Sequence, residues 1–504
     1  MIGGVLLITG GPYMKQNLGK MLEYTCSKYP DRISLIYKDK NISYAQLDRA
    51  VNAFGNRLRA LGMAKGDKVA MMLPNIPEFI ISYFAILKLG AVAVTINALS
   101  TPHELLYLLD NCDAKAFITI PSSAKRFEEI REKLPQCEHL ITTGTSHGNL
   151  SINGSMEMST SGLEMPEITG DDPAVMIYTS GLTGKPLGAV LTHRNLSTQS
   201  PLLEDTCHGT ADDRGLCLIP LFHSFGAAVN MLMILKMGAS VVMIDQFNLE
   251  NIFKAIEKEK VTYIAAVPRV FLGMLLFDGA EDYDTSSLRF CITGGSAMPP
   301  EYMPMFEKKF GVKLAQGYGL TEASPVCSVS RIDGVQKPGS IGQPIPGVEA
   351  KVFDETGAEL PAENRGELVI RGRNIMKGYY KNEKATAEVI KNGWLHTGDL
   401  ARIDKEGYIF LEGLKKRMII TSGFNVYPTE VENILRMHPA VSDARVIGRD
   451  DLMRGEIVRA LVIKKQGSSV DEKNITKHCR KYLSSYKSPR EVEFVEEFDM
   501  TENT

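Results

Sequence analysis

The sequence has no CxxC pair and no cluster of histidines. Its eight cysteines, Cys26, Cys112, Cys137, Cys207, Cys217, Cys291, Cys327 and Cys479, are scattered through 504 residues. That scatter excludes a structural zinc centre and a disulfide framework, and free thiols point to a reducing compartment, so a cytoplasmic protein is expected. No apolar stretch approaches the ~18 residues that a membrane-spanning helix needs. The opening MIGGVLLITGG lacks the basic flank of a signal peptide. The first amphipathic pattern, NLGKMLEYTCSKYP, begins only at Asn17, so residues 1–13 are expected to be a disordered leader, with Met14 as an alternative start. An excess of charge is also lacking: 57 Lys and Arg stand against 60 Asp and Glu, a net charge of -3, which excludes a broad nucleic-acid field. No fixed-period repeat is visible.

What is present is rhythm. Helical apolar spacing in YAQLDRAVNAFGNRLRALGM and PEFIISYFAILKLG alternates with strand-like KVAMML and AVAVTI, and the alternation continues through ASVVMI, NIFKAIEKEK, VTYIAAV, PPEYMPMFEKKFG and VKLAQGYG. A chain this long exceeds a single ordinary core, so at least two domains are expected, the first a large layered α/β domain with parallel sheets. Between Lys337 and Leu411 the texture changes to short strands punctuated by Gly, Pro and Asn, which predicts a small antiparallel or barrel-like subdomain. After the polar segment GLKKRMII, a helix, strand, strand, helix, strand pattern predicts a small, mobile α+β C-terminal domain. The expected division is 1–414 and 415–504.

The stretch YTSGLTGKPLGAVLTH, Tyr178 to His193, follows the apolar run AVMIY and combines glycines with hydroxyl residues, a composition that lets backbone N–H groups converge on an anion. It is not a Walker A loop, and alone it reads more readily as a plain turn. It resembles the signature loop of the adenylate-forming superfamily, which includes acyl-CoA synthetases, luciferases and nonribosomal adenylation domains. PLFHSFG (220–226), TGGSAMP (293–299), QGYGLTEASP (316–325), WLHTGDL (394–400) and SGFNVYPTEVE (422–432) resemble further motifs of that superfamily, in its order. The overall texture is similar to bacterial medium- or long-chain fatty acyl-CoA synthetases, and the resemblance runs from about Asn17 to Thr504.

The resemblance implies ATP, Mg2+ and CoA as substrates and cofactor, a small carboxylic acid as the group activated, and roles for particular residues. Thr179, Ser180, Gly181, Thr183 and Gly184 would cradle phosphates; Gly295, Ser296 and Ala297 would lie against adenine. Gln316, Gly317, Tyr318, Gly319 and Thr321 would hold the α-phosphate side, Glu322 would ligate magnesium, and Asp399 would accept the ribose hydroxyls. Thr321, Glu322 and His223 are the catalytic candidates, with His223 bordering the acyl pocket. Lys416 would be the hinge, and Ser422, Gly423 and Phe424 would line the CoA channel when the small domain is rotated. These types suit carboxylate activation, because joining a carboxylate to a phosphate brings anions together and requires donors where charge accumulates. Singly, Thr321 and Glu322 also read as the start of a helix and Asp399 as a turn residue. The acyl pocket is expected from 223–231, 267–275, Gly294 and Tyr318. The basic segment TKHCRKYLSSYKSPR (476–490) reads as a solvated helical face or as a surface for CoA phosphates or an anionic membrane.

Four departures from the superfamily pattern fall on the grip for ATP. Leu182 stands at a hydroxyl position and Leu187 at a lysine position, where the loss of one transition-state donor costs ~3–4 kcal/mol. Leu414 stands at an arginine position, with Arg417 where an acid is usual. The sequence reads FVEEFDMTENT to Thr504, where the superfamily continues into Gly-Lys. Without that lysine the adenylation step is expected to be crippled, whereas thioester formation does not need it. Two main readings stay open: an AMP-forming acid:CoA ligase of fatty acid metabolism, and a degenerate nucleotide- or acyl-binding homologue. A chain that completes only thioester formation lies between them.

Overall fold

The structure is a computed structural model that describes residues 17–144, 150–151, 162–179, 185–244, 246–414, 418–451 and 454–498. The expected leader, the loop residues Ser180, Gly181, Leu182, Thr183 and Gly184, the segment Lys415, Lys416 and Arg417, and the tail to Thr504 lie outside the described residues.

Two sheets form the large domain. A nine-stranded sheet has a parallel centre in which Lys313–Gly319, Phe290–Thr293, Tyr263–Ala266, Arg214–Cys217, Ser240–Met243 and Ile33–Tyr37 lie side by side. An eight-stranded sheet places Pro173–Thr179 beside Val92–Thr95, Lys68–Met72 and Ala114–Thr119, again parallel. The strands are near-continuous apolar runs because helices cover both faces. The helix Pro77–Lys88 is buried almost all round and ends in Lys88, whose ammonium, 0% exposed, reaches Asp48 and Asn52 at 2.8 Å each. A buried lysine tolerates such a site only when paired and hydrogen-bonded.

The parallel rule breaks where chemistry is expected. Pro173–Thr179 and Leu187–Thr192 run antiparallel, pairing Thr179 with Leu187, so the glycine-rich loop joins two strands of a hairpin and the following helix His193–Ser197 starts only at the Thr192 cap. The texture change after Lys337 becomes an antiparallel five-stranded sheet built on Val348–Phe353, Gly366–Gly372 and Trp394–Ile403, although Gly378–Tyr379 leaves it to pair with the large domain at Val190 and Ala189.

The small domain follows the expected helix Pro428–Arg436, strands Val441–Asp451 and Gly455–Lys464, helix Glu472–Tyr482 and strand Glu491–Phe494. It adds a hairpin, Ile419–Thr421 and Phe424–Val426, turned by Ser422 at φ 53° and Gly423 at φ 84°. Two consecutive positive φ angles match the twist of the flanking strands, which is why a two-residue turn fits here.

Candidate active site

One cavity of about 880 Å³ opens between the layers and the small domain. Its wall contains Thr179, His223, Gly295, Ser296, Ala297, Gln316, Gly317, Tyr318, Gly319, Thr321, Glu322, Asp399, Gly423 and Phe424, so motifs more than 200 residues apart in sequence meet in one space. Ser422 stands behind that wall, where its hydroxyl accepts a hydrogen bond from Arg269 Nη1 at 3.1 Å.

Strand ends create this meeting point. Lys313–Gly319 finishes at the cavity, and Gly319 passes so close to the next segment that an added Cβ would sit 2.1 Å from the carbonyl oxygen of Pro325. The chain then turns through a 3-10 segment, Thr321–Ala323, rather than opening a long helix. Thr321 Oγ1 lies 3.1 Å from Ser224 Oγ. Glu322 Oε1 accepts from Tyr379 OH at 2.7 Å and from Thr179 Oγ1 at 3.3 Å, while Oε2 has no donor among the described residues. Burial and then the Glu322 charge push the Tyr379 phenol well above its ordinary range, so it remains a donor. One carboxylate with a free oxygen suits Mg2+, which keeps several waters and takes its remaining ligands from phosphate oxygens.

Asp399 accepts a hydrogen bond from Tyr318 OH, whose phenol is held far above its usual range first by burial and then by the Asp399 charge. His223 caps the short helix Ser224–Ala227, its Nδ1 accepting from Phe225 N at 3.2 Å, and burial lowers its pKa to about 4. At neutral pH it is an uncharged imidazole whose proton sits on Nε2, since Nδ1 is occupied as an acceptor.

The apolar part of the wall departs from expectation. Val229 and Met233 belong to it, but none of 267–275 does; Leu202, Leu203, Val326, Val329 and Ile341 take that place. The helix Pro268–Leu275 instead turns Val270, Phe271 and Met274 into a second core, where Phe271 packs edge-on against Phe306 at 5.2 Å. Val267 touches the site through the small domain: a Cβ on Gly423 would meet Val267 Cγ1 at 2.7 Å. Phe424 stacks on Phe222 of the large domain at 6.4 Å and on Tyr486 at 4.6 Å.

The wall beside the glycine-rich loop carries fewer polar groups among the described residues. Leu187 is half-buried on the cavity wall, and Leu414 lies opposite Asp399 across paired strands. Lys185, two residues before Leu187, also reaches the wall, a cation to which the sequence assigned no role. Ser224, inside PLFHSFG, and Tyr379, outside every quoted motif, are likewise cavity residues without a prior reading, because local pattern alone does not say which hydroxyls turn inward. The basic segment 476–490 divides. Lys477, Arg480, Lys481 and Arg490 are exposed, but Lys487 is buried against Glu104 and Glu430.

Among the described residues no helix is long and apolar enough to cross a membrane, and no three His, Cys, Asp or Glu side chains converge as a metal cluster. The chain is 32% identical to a long-chain-fatty-acid–CoA ligase of Bacillus subtilis over 97% of this chain and 93% of that protein. It is 33% identical to a long-chain-fatty-acid–CoA ligase of Escherichia coli O6:H1, over 96% and 92% of the two chains. In structure it is similar to a double mutant of o-succinylbenzoate CoA synthetase from Bacillus subtilis bound with a product analogue, with a TM-score of 0.85 and 28% identity over 96% of each chain. Residues 22–380 match the model of the AMP-binding enzyme family and residues 430–504 that of the AMP-binding enzyme C-terminal domain, so the chain belongs to the AMP-binding enzyme family.

Proposed function

We propose that the protein is an AMP-forming acid:CoA ligase that activates a fatty acid with ATP and transfers the acyl group to CoA. The observation that carries this reading is the convergence of Thr321, Glu322 and Asp399 on one cavity with an apolar wall, into which the Gly423 turn also reaches. Asp399, fixed by Tyr318, accepts the ribose hydroxyls, and the small residues Gly295, Ser296 and Ala297, with Gln316, Gly317 and Gly319, leave room for adenine and the α-phosphate. Thr179 and the loop residues Ser180, Gly181, Thr183 and Gly184 face the phosphates. Thr321 donates to the α-phosphate and carboxylate oxygens as the carboxylate attacks the α-phosphorus and pyrophosphate leaves, with Ser224 orienting its hydroxyl. Glu322 holds Mg2+, which supplies charge neutralisation on the phosphates when bound. His223, neutral and donating through Nε2, borders the acyl group; Leu202, Leu203, Val229 and Met233 match an alkyl chain. Gly423 and Phe424 line the route of the CoA thiol, Ser422 supports that turn from behind through Arg269, and Lys416 is the pivot between domains 1–414 and 415–504. The buried, unpaired cysteines support a cytoplasmic setting.

A second reading, a binding protein with little adenylation activity, is favoured by one observation: Leu187 presents an alkyl group to the cavity where charge is needed. Acid-dependent exchange of pyrophosphate into ATP separates the two. Exchange with a fatty acid, followed by acyl-CoA formation, is the expected result. Absence of both exchange and thioester formation from synthetic acyl-AMP would sink the ligase reading.

A further inference from the structure

Among the described residues two basic side chains are buried, Lys88 and Lys487. Lys88 is paired wholly within the large domain. Lys487 is paired across the domain interface: its Nζ lies 3.0 Å from Glu104 Oε1 on the large domain and 2.7 Å from Glu430 Oε1 on its own, with the three side chains 7%, 9% and 9% exposed.

The Glu104 carboxylate is held by its own helix. It is the third residue of Pro102–Asn111 and completes a capping box, Oε2 accepting from Thr101 N at 2.9 Å. The same oxygen accepts from Ser484 Oγ of the small domain at 2.6 Å, while Thr101 Oγ1 donates to the carbonyl oxygen of Tyr482 at 3.0 Å. One helix start therefore supplies both partners that receive the segment 482–487. Glu430 is less well satisfied: its Oε2 is buried with no partner. Burial raises the Glu430 pKa, whereas Lys487 and the hydrogen bonds to Ser484 and Thr101 overcome burial at Glu104 and hold its pKa below the usual range.

Residues of both domains wall the cavity, so a large occupant enters and leaves when they part. We propose that Lys487 is a positioning residue, a latch that closes the small domain onto Glu104 and is carried by Glu430 when the domains separate. A buried ion pair roughly balances Coulomb attraction against desolvation, and removal of one partner from a buried pair is costly because it strands a charge. Glu430 keeps Lys487 paired on opening, and Glu104, freed into water, is rehydrated while still capping its helix. The contact can thus break and re-form without leaving an isolated buried charge. This inference rests on the ligase reading only for what the closed state achieves, not for the closure itself.

Single-molecule energy transfer tests it in the full chain. Dyes are placed on cysteines introduced at the exposed positions Lys133 and Lys473; the native cysteines are buried and do not compete. Glu104→Gln, which retains the capping box, is expected to lower the ratio of closed to open molecules by about 10-fold or more with unchanged melting temperature, and Lys487→Met, which also strands the buried Glu430, to lower the ratio as much with a lower melting temperature. Glu430→Gln, which removes the carboxylate competing with Glu104, is expected to leave that ratio at least as high as in the unaltered chain. A closed ratio within twofold of the unaltered value in the first two variants overturns the proposal. So does a loss in Glu430→Gln equal to theirs, or an unaltered chain with no closed population. Absent ligase activity together with the expected shifts would remove the proposed function and leave the latch standing.

Discussion

The two sides of the cavity are furnished differently. On one side Glu322 is held by Tyr379 and Thr179, Thr321 by Ser224, and Asp399 by Tyr318, so each candidate polar group has a neighbour that fixes its direction. On the other side, Leu187 brings an alkyl group to the wall and Lys185 is the described cation nearest it in sequence. Preorganised donors and acceptors are the larger part of catalytic stabilisation, because they require no reorganisation at the moment charge develops. The first side has that character, while on the second Leu187 offers no donor and Lys185 is the nearby described cation. Binding of nucleotide and acid is therefore expected to be strong relative to the rate of phosphate chemistry.

The largest effect is expected at Glu322. Glu322→Gln keeps an acceptor for Tyr379 and Thr179 but removes the charge proposed to hold Mg2+, and should lower pyrophosphate exchange by ~10²–10³-fold. An undiminished rate would show that the furnished side is not the working one. Next, Leu187→Lys should raise exchange by about 10²-fold, since one well-placed donor is worth that much in an oxyanion-stabilising position. No rise in steady-state exchange would mean that Lys185 already supplies the charge, and Lys185→Ala would then abolish it. Asp399→Asn, which would weaken the charge-assisted hydrogen bond proposed to ribose, should raise KM for ATP by ~10-fold with a smaller change in kcat.

Gly423→Ala strains a turn at φ 84° and drives a methyl group towards Val267, so acyl transfer from synthetic acyl-AMP to CoA should fall by roughly 10-fold while exchange is spared. Equal losses in both half-reactions would remove the distinction between the large-domain and small-domain faces of the site. The smallest effect concerns pH. Burial lowers His223 and His193 from 6.5 to about 4, so both are neutral in the folded protein where the unfolded chain is already protonating. Their contribution to stability is present above pH 6.5 and is lost as pH falls towards 4, because the unfolded state binds more protons there. Urea melts at pH 7.5 and pH 5 should show that loss, reduced in His223→Asn.

Much of the architecture was legible in the sequence. Buried parallel strands must be apolar throughout and their covering helices apolar on one face, so periodicity alone marked the layered domain and the small α+β unit. Motif order located Thr321, Glu322, Asp399 and the Gly423 turn, since close backbone approach and charge restrict the residue types those places accept. The apolar wall of the cavity does not include 267–275 as expected: Val270, Phe271 and Met274 are as apolar as any pocket lining, and nothing local distinguishes a side chain facing a cavity from one facing Phe306.

By itself the sequence determined the fold class, because local periodicity marks helices and buried strands, and its motifs carried the resemblance from which the family and its chemistry were expected. Only the tertiary structure decided which hydroxyl orients Thr321, which phenols hold Glu322 and Asp399, and that Lys487, read as one more charge on a basic surface, is buried between Glu104 and Glu430. Those pairings join residues 57 to 383 positions apart. Their directions follow from the packing of whole layers, which no local pattern encodes.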